Sequence, residues 1–250
     1  MSDDLAITVP CVVFALRRES MYFRRAYPYQ QRFPAAPCCA QFRGPTAQTV
    51  LMLETGVGAA AMETALRWCL SEPRFGAVPY RPRLLLSLGF SGALQPEQHA
   101  GDLVLATGIV EREGNLWPAL HPTHFASLNI VLGRLLTMPE LIGDPDEKRR
   151  LGRQYEALAV DMESARAARL CHEHGVPFAC LRAVSDDWNT TLSPHLLDLL
   201  RRGRVSPLRL ATTIVRHPKL SAELWRLARH TRKAPKNLLA ASSLLSALDR

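Results

Sequence analysis

The chain is poor in the features that would give it a metal, a disulfide framework or a membrane span. Its six cysteines, at positions 11, 38, 39, 69, 171 and 180, form no CxxC pair and no metal-ligand spacing. That excludes a zinc knuckle or a redox dithiol motif. Cys11, Cys69, Cys171 and Cys180 sit among apolar residues and are predicted to be buried free thiols of a reducing compartment. Cys38 and Cys39 fall in a Pro/Ala-rich loop. No apolar run approaches the ~20 residues of a membrane helix. The start, Met1 to Leu5, lacks the basic residues and small-residue cleavage site of a secretory leader, so a cytoplasmic location is expected. There is no internal repeat, and no low-complexity linker before about residue 190.

What is present is ordinary globular material. The 250 residues, 47% hydrophobic and 22% charged, suffice for one sizeable α/β domain with an appendage. The charge is uneven. Of the formal net +8, the whole excess comes from residues 195 to 236, where eleven basic residues face only Asp198 and Glu223. Pro207, Pro218 and Pro235 divide a helical pattern there. The expected division is a catalytic domain over 1–192 and a basic helical C-terminal extension over 193–250.

Along the chain, apolar runs alternate with helical segments. Residues 8–15 predict a buried strand, and Glu19 lies just past its end at the start of a helix. Pro28 to Pro45 reads as a loop or short hairpin. Residues 49–54 predict a second strand, then Thr55-Gly-Val-Gly58 and a helix over 59–70. Glycines there let backbone N–H groups approach an anion or sugar, although the motif is too short for a dinucleotide or Walker loop. A third strand is expected over 83–89 with a turn over 90–94, and a fourth over 101–110. Residues 121–132 look helical, 131–137 strand-like, and 147–155 a polar helix. Strands alternating with helices imply a three-layer αβα sandwich around a central sheet.

The densest stretch runs from Ala159 to Asp187. It carries acidic residues at the start of a helix, a Gly175-Val-Pro177 break, and a buried strand that ends on Ser185, Asp186 and Asp187. Ligands of open α/β sheets bind beyond the carboxyl ends of strands, which puts these residues where a site is expected. His172 and His174, at a helix end, suit a helix-dipole contact better than a metal.

Four blocks in order resemble the nucleoside phosphorylase/nucleosidase superfamily, most closely its methylthioadenosine/S-adenosylhomocysteine nucleosidase branch. They are Val12 to Glu19, Glu54 to Gly58, Leu88 to Leu94 with Gly101-Asp102, and Val160 to Ser164 through Arg182 to Asp186. The Leu86 to Gly89 and Val160-Asp-Met-Glu-Ser164 forms, with the tail sequence, are also similar to a hopanoid-associated phosphorylase subgroup. The resemblance implies a central mixed sheet, a homodimer, a purine nucleoside substrate modified at its 5′ end, and release of adenine. It assigns Asp186 to purine N7, with Asp187 as competitor. It assigns Glu163 to the ribose hydroxyls, Met162 beneath the sugar, and Glu19 to the attacking water with Arg182 supporting it. Leu141 and Ile142 are placed at the base, and Gly58, Gly89 and Ser185 in the binding wall. A carboxyl partly protonated by burial can donate to N7 near neutral pH.

The resemblance implies no cofactor and no metal. Phosphate is the one co-substrate left open, because Ser87 and Phe90 stand where phosphorolytic members hold phosphate with arginine and serine. Arg17, Arg18 and Arg24 are the substitute charges at hand. The basic tail suits an anionic membrane surface, each Lys or Arg there contributing about 1 kcal/mol, and a hopane-bearing nucleoside would fit such a place. With Trp225 as its lone aromatic, the tail does not suit nucleic acid. The remaining alternatives are a methylthioadenosine/S-adenosylhomocysteine-type nucleosidase and a membrane-docked nucleoside-binding protein without turnover.

Overall fold

The computed structural model describes residues 6–44, 49–75, 78–121, 130–193 and 245. The expected basic extension, with its membrane surface, therefore lies almost wholly outside the described residues. Strand β1 (Ile7–Phe14) leads to helix α1 (Arg17–Ala26), and the Pro28–Pro45 segment contains a hairpin of β2 (Tyr29–Arg32) and β3 (Cys39–Arg43). Next come β4 (Val50–Glu54), α2 (Ala59–Leu70), short β5 (Arg74–Phe75), long β6 (Val78–Ala93), β7 (Leu103–Glu111) and short β8 (Leu116–Pro118). The described chain continues with β9 (Ile130–Thr137), α3 (Pro145–Tyr155), β10 (Ala157–Asp161), α4 (Ser164–Glu173) and β11 (Phe178–Asp186).

The strands form one mixed sheet in the order β10-β9-β7-β11-β6-β1-β4-β3-β2, with β5 and β8 pairing beside β6 and β7. Parallel pairs (β1 with β4 and β6, β6 with β11) occupy its centre. Central strands are buried on both faces, which explains their near-continuous apolar sequences. The side-chain period of two splits each strand between two cores. Cys11, Val13, Leu51, Leu53, Cys180 and Val184 pack with Met62 and Leu66 of α2 and Ala168 and Cys171 of α4. Val12, Phe14, Met52, Ala179 and Leu181 pack on the other face with Phe23 and Tyr27 of α1, and with Leu245. Each fully buried Leu or Phe contributes about 1.5–3 kcal/mol. The three-layer architecture follows, and the four central cysteines are buried free thiols.

Two expectations change. The third strand does not turn at Phe90; β6 runs on through Phe90-Ser-Gly-Ala93. It can do so because Gly92 and Ala93 pair antiparallel with Val160 and Ala159 of β10, while Ser91 stays beside β11. This added pairing curls the sheet end into a closed ring of β6, β10, β9, β7 and β11. The helical pattern of 121–132 overlaps a strand expected over 131–137; residues 130–132 belong to strand β9, and 122–129 lie outside the described residues.

Candidate active site

The site forms where the carboxyl ends of β1, β6, β10 and β11 meet, beside the closure of the ring. Glu19, Leu141, Ile142, Met162, Glu163, Ser185 and Asp186 all line one cleft there. The three carboxylates come from sequence positions far apart, and each is held by a different local device.

Glu19 sits in the first turn of α1, 5% exposed. Its Oε2 accepts the Leu16 N–H at 2.7 Å and its Oε1 the Phe90 N–H at 2.9 Å. Gly89 makes this approach feasible, since a Cβ there would lie 3.0 Å from Glu19 Oε1. Burial raises the Glu19 carboxyl above its ordinary pKa, while the two backbone donors and the Arg182 charge pull the other way.

Glu163 precedes helix α4, and its Oε1 accepts the Gly58 N–H at 2.7 Å. Burial first, then the nearby Asp161 carboxylate, push it up to about 7 against the pull of that hydrogen bond. Asp186 owes its aim to a register shift in β11 between Val184 and Asp186, a bulge that re-points a strand-end side chain. Ser185 Oγ lies 2.6 Å from Asp186 Oδ1 and 3.0 Å from the Ser91 carbonyl. The Lys148 ammonium donates to Asp186 Oδ2 at 2.5 Å. Burial alone therefore does not describe the Asp186 environment, as the sequence had suggested; a buried cation touches it. Asp187, the competing candidate, is occupied elsewhere, its Oδ1 accepting the Ala100 N–H at 2.7 Å.

Two residues expected in the binding wall, Gly58 and Gly89, lie behind it, as does Arg182, expected to support Glu19. The Gly58 N–H, expected to face a sugar or anion, is taken by Glu163. Gly89 gives room to Glu19 and Arg182. Arg182 is 3% exposed, and its guanidinium donates to Asp161 Oδ2 (2.9 Å), Ser87 Oγ (3.0 Å), the Ser87 carbonyl (3.1 Å) and Ser164 Oγ (2.7 Å). Burial opposes its charge, but Cys180 and the carboxylates of Asp161, Glu19 and Glu163 outweigh that and hold it well above its ordinary range. Asp161 completes the knot by accepting from Thr137 Oγ1 at 2.8 Å and from Ser164 Oγ at 2.5 Å.

Sequence reasoning missed Lys148 and Asp161. Lys148 had a signal: it shares the buried face of α3 with Leu151 and Gly152, an i, i+3, i+4 pattern in which a lysine is out of place. The proposed phosphate cations do not enter the cleft. Arg17 and Arg18 are exposed, and Arg24 pairs with Glu54 at 3.0 Å. Among the described residues no Lys, Arg or His lines the cleft, and no group of three His, Cys, Asp or Glu side chains could hold a metal ion. His174 Nδ1 lies 2.9 Å from the Leu170 carbonyl.

Comparison with known proteins agrees with this fold. The phosphorylase superfamily model matches residues 12–126 and 118–215. A 5′-methylthioadenosine/S-adenosylhomocysteine nucleosidase of Staphylococcus haemolyticus is 27% identical over 164 residues, covering 55% of this chain and 68% of the relative. One of Bacillus cereus (strain G9842) is 26% identical over 165 residues, with the same coverage. Two solved structures share the fold. The nucleosidase of that type from Neisseria meningitidis, in complex with methylthio-immucillin-A, has a TM-score of 0.70 at 15% identity, over 96% of this chain and 98% of its own. The futalosine hydrolase of Helicobacter pylori has 0.69 at 14% identity, over 98% of each chain. The chain belongs to the phosphorylase superfamily, whose members cleave the N-glycosidic bond of nucleosides.

Proposed function

We propose that this cleft hydrolyses the N-glycosidic bond of a 5′-substituted adenosine and releases adenine. The observation that carries the reading is the convergence of Glu19, Glu163 and Asp186 on a cleft lined by no cationic side chain among the described residues. A phosphate nucleophile would meet the Glu19 carboxylate there with no cationic side chain among the described residues lining the cleft to receive it. Water, by contrast, finds in Glu19 an acceptor that two backbone N–H groups hold in place.

In this reading Glu163 accepts the ribose hydroxyls, Met162 packs beneath the sugar, and the backbone at Leu141 and Ile142 flanks the base. As C1′–N9 breaks, its electron pair passes to the purine and Asp186 delivers a proton to N7. The anionic lining favours the oxocarbenium-like charge on the sugar. Val57, Ile142 and Leu192 give the cleft apolar wall, which suits an apolar 5′ group such as a thioether or a lipid chain. The relatives named as methylthioadenosine/S-adenosylhomocysteine nucleosidases support the substrate class.

The test is adenine release from methylthioadenosine, S-adenosylhomocysteine and a long-chain 5′-alkyl adenosine, by wild type and Asp186→Asn. Loss of a catalytic acid costs about 10²–10⁴-fold in rate. Release that ignores the Asp186 substitution, or no release from any of the three, contradicts the reading.

A further inference from the structure

Lys148 is a fully buried lysine, 0% exposed, on a helix otherwise rich in solvated charge. A buried ammonium persists only where its partners repay desolvation. Here three N–H bonds meet three acceptors: Asp186 Oδ2 at 2.5 Å, the Asp187 carbonyl at 3.0 Å and the Thr190 carbonyl at 3.4 Å. The helix reaches this depth because Gly152, one turn on, lies against the end of β6; a Cβ there would sit 2.6 Å from the Leu94 carbonyl. Asp144 caps the same helix, accepting the Asp146 and Glu147 N–H groups, which fixes its first turn next to Lys148. Nothing in that set points to a purely surface role.

The two oxygens of Asp186 are thus treated differently. Oδ2 is pinned from behind by a cation, and Gly92 leaves it room, since a Cβ there would lie 3.2 Å away. Among the described residues Oδ1 meets Ser185 Oγ, whose single proton also has the Ser91 carbonyl within reach.

We propose that Lys148 is the positioning residue for Asp186, presenting Oδ1 to the leaving base and balancing the charge left behind when its proton departs. This rests on the hydrolase reading given above. In the step concerned, Asp186 Oδ1 takes a proton from solvent before bond cleavage; the C1′–N9 electron pair then goes to the purine and that proton goes to N7. The resulting Asp186 carboxylate faces the Lys148 ammonium, and solvent later returns the proton. The ammonium interacts more strongly with that developing carboxylate than with the neutral acid, so its effect falls on the transition state rather than on substrate binding. Lys148 does not line the cleft, so its loss is expected to spare KM.

The experiment compares wild type, Lys148→Met, Lys148→Ala, Asp186→Asn and the Lys148→Met/Asp186→Asn double variant, each in adenine release. Removing one preorganised donor typically costs about 10²–10³-fold in kcat. The expected result is a loss of that order in Lys148→Met with KM within threefold of wild type. Propylamine should restore kcat in Lys148→Ala in a saturable way, and propanol should not. In the Asp186→Asn background, Lys148→Met should cost nothing further. A folded Lys148→Met with near wild-type kcat, or an additive loss in the double variant, overturns the proposal. If Lys148→Met does not fold, the double variant against Asp186→Asn alone still decides, because removing both charges leaves no buried ion unpaired. Absence of release by wild type overturns the hydrolase reading itself and is recognised before any variant is made.

Discussion

The Gly58 N–H donates to Glu163 Oε1 at 2.7 Å, joining residues 105 positions apart. The bond ties the loop after β4 to the start of α4, and it uses the donor that would otherwise be free at the head of α2. Gly58 can offer it because its backbone sits at φ +93°. A side chain there has space but not the conformation.

Gly58→Ala is therefore a backbone test and not a packing one. Forcing an L-residue into this positive-φ, extended region, which is essentially confined to glycine, costs roughly 1–3 kcal/mol. The expected outcome is a lower denaturation midpoint together with a raised KM, since Glu163 loses a fixed donor. Chemical denaturation and steady-state kinetics on one preparation check both.

The pH dependence of stability follows from Glu163. Its carboxyl is ordinary in the unfolded chain, near 4.5, and pushed up to about 7 in the folded one. Between those values the folded state binds more protons than the unfolded state, so stability falls as pH rises through this window. The raised Glu19 carboxyl acts in the same direction. Glu163→Gln should flatten most of the decline and leave the part due to Glu19. Denaturation midpoints from pH 4.5 to 8 measure this, and an unchanged slope in the variant contradicts it.

Arg182 is predicted to matter for the fold as much as for the chemistry. Both it and Asp161 are almost wholly buried, 2.8 Å apart. Arg182→Met leaves the Asp161 carboxylate unpaired, a loss of about 3–5 kcal/mol. Arg182→Met/Asp161→Asn should recover much of that stability, since the asparagine can keep bonds to Thr137 and Ser164 without a buried charge. Additive losses in the two single variants and their combination would be inconsistent with the pairing.

Much of the layout was legible in the sequence where local chemistry decides it. The apolar runs of β1, β4 and β11, the Gly-bearing turn before α2 and the polar face of α3 all have short-range signatures. So did Glu19, Glu163 and Asp186, which lie at or just past strand ends. What stayed hidden depends on long-range pairing. Phe90 to Ala93 looks like a turn until Gly92 and Ala93 meet β10. Arg182 reads as a support for Glu19 alone until Asp161, Ser87 and Ser164 take its donors. Lys148 looks like one more solvated charge on α3 until Gly152 lets the helix sink against Leu94.

The central claim is that water, oriented by Glu19, attacks the sugar. The most direct measurement is single-turnover cleavage of methylthioadenosine in ¹⁸O-labelled water, with and without phosphate, followed by mass analysis of the sugar product. The account predicts one ¹⁸O at the sugar C1′ oxygen, a rate indifferent to phosphate, and loss of the reaction in Glu19→Gln. A ribose 1-phosphate product, or a rate that requires phosphate, would contradict it.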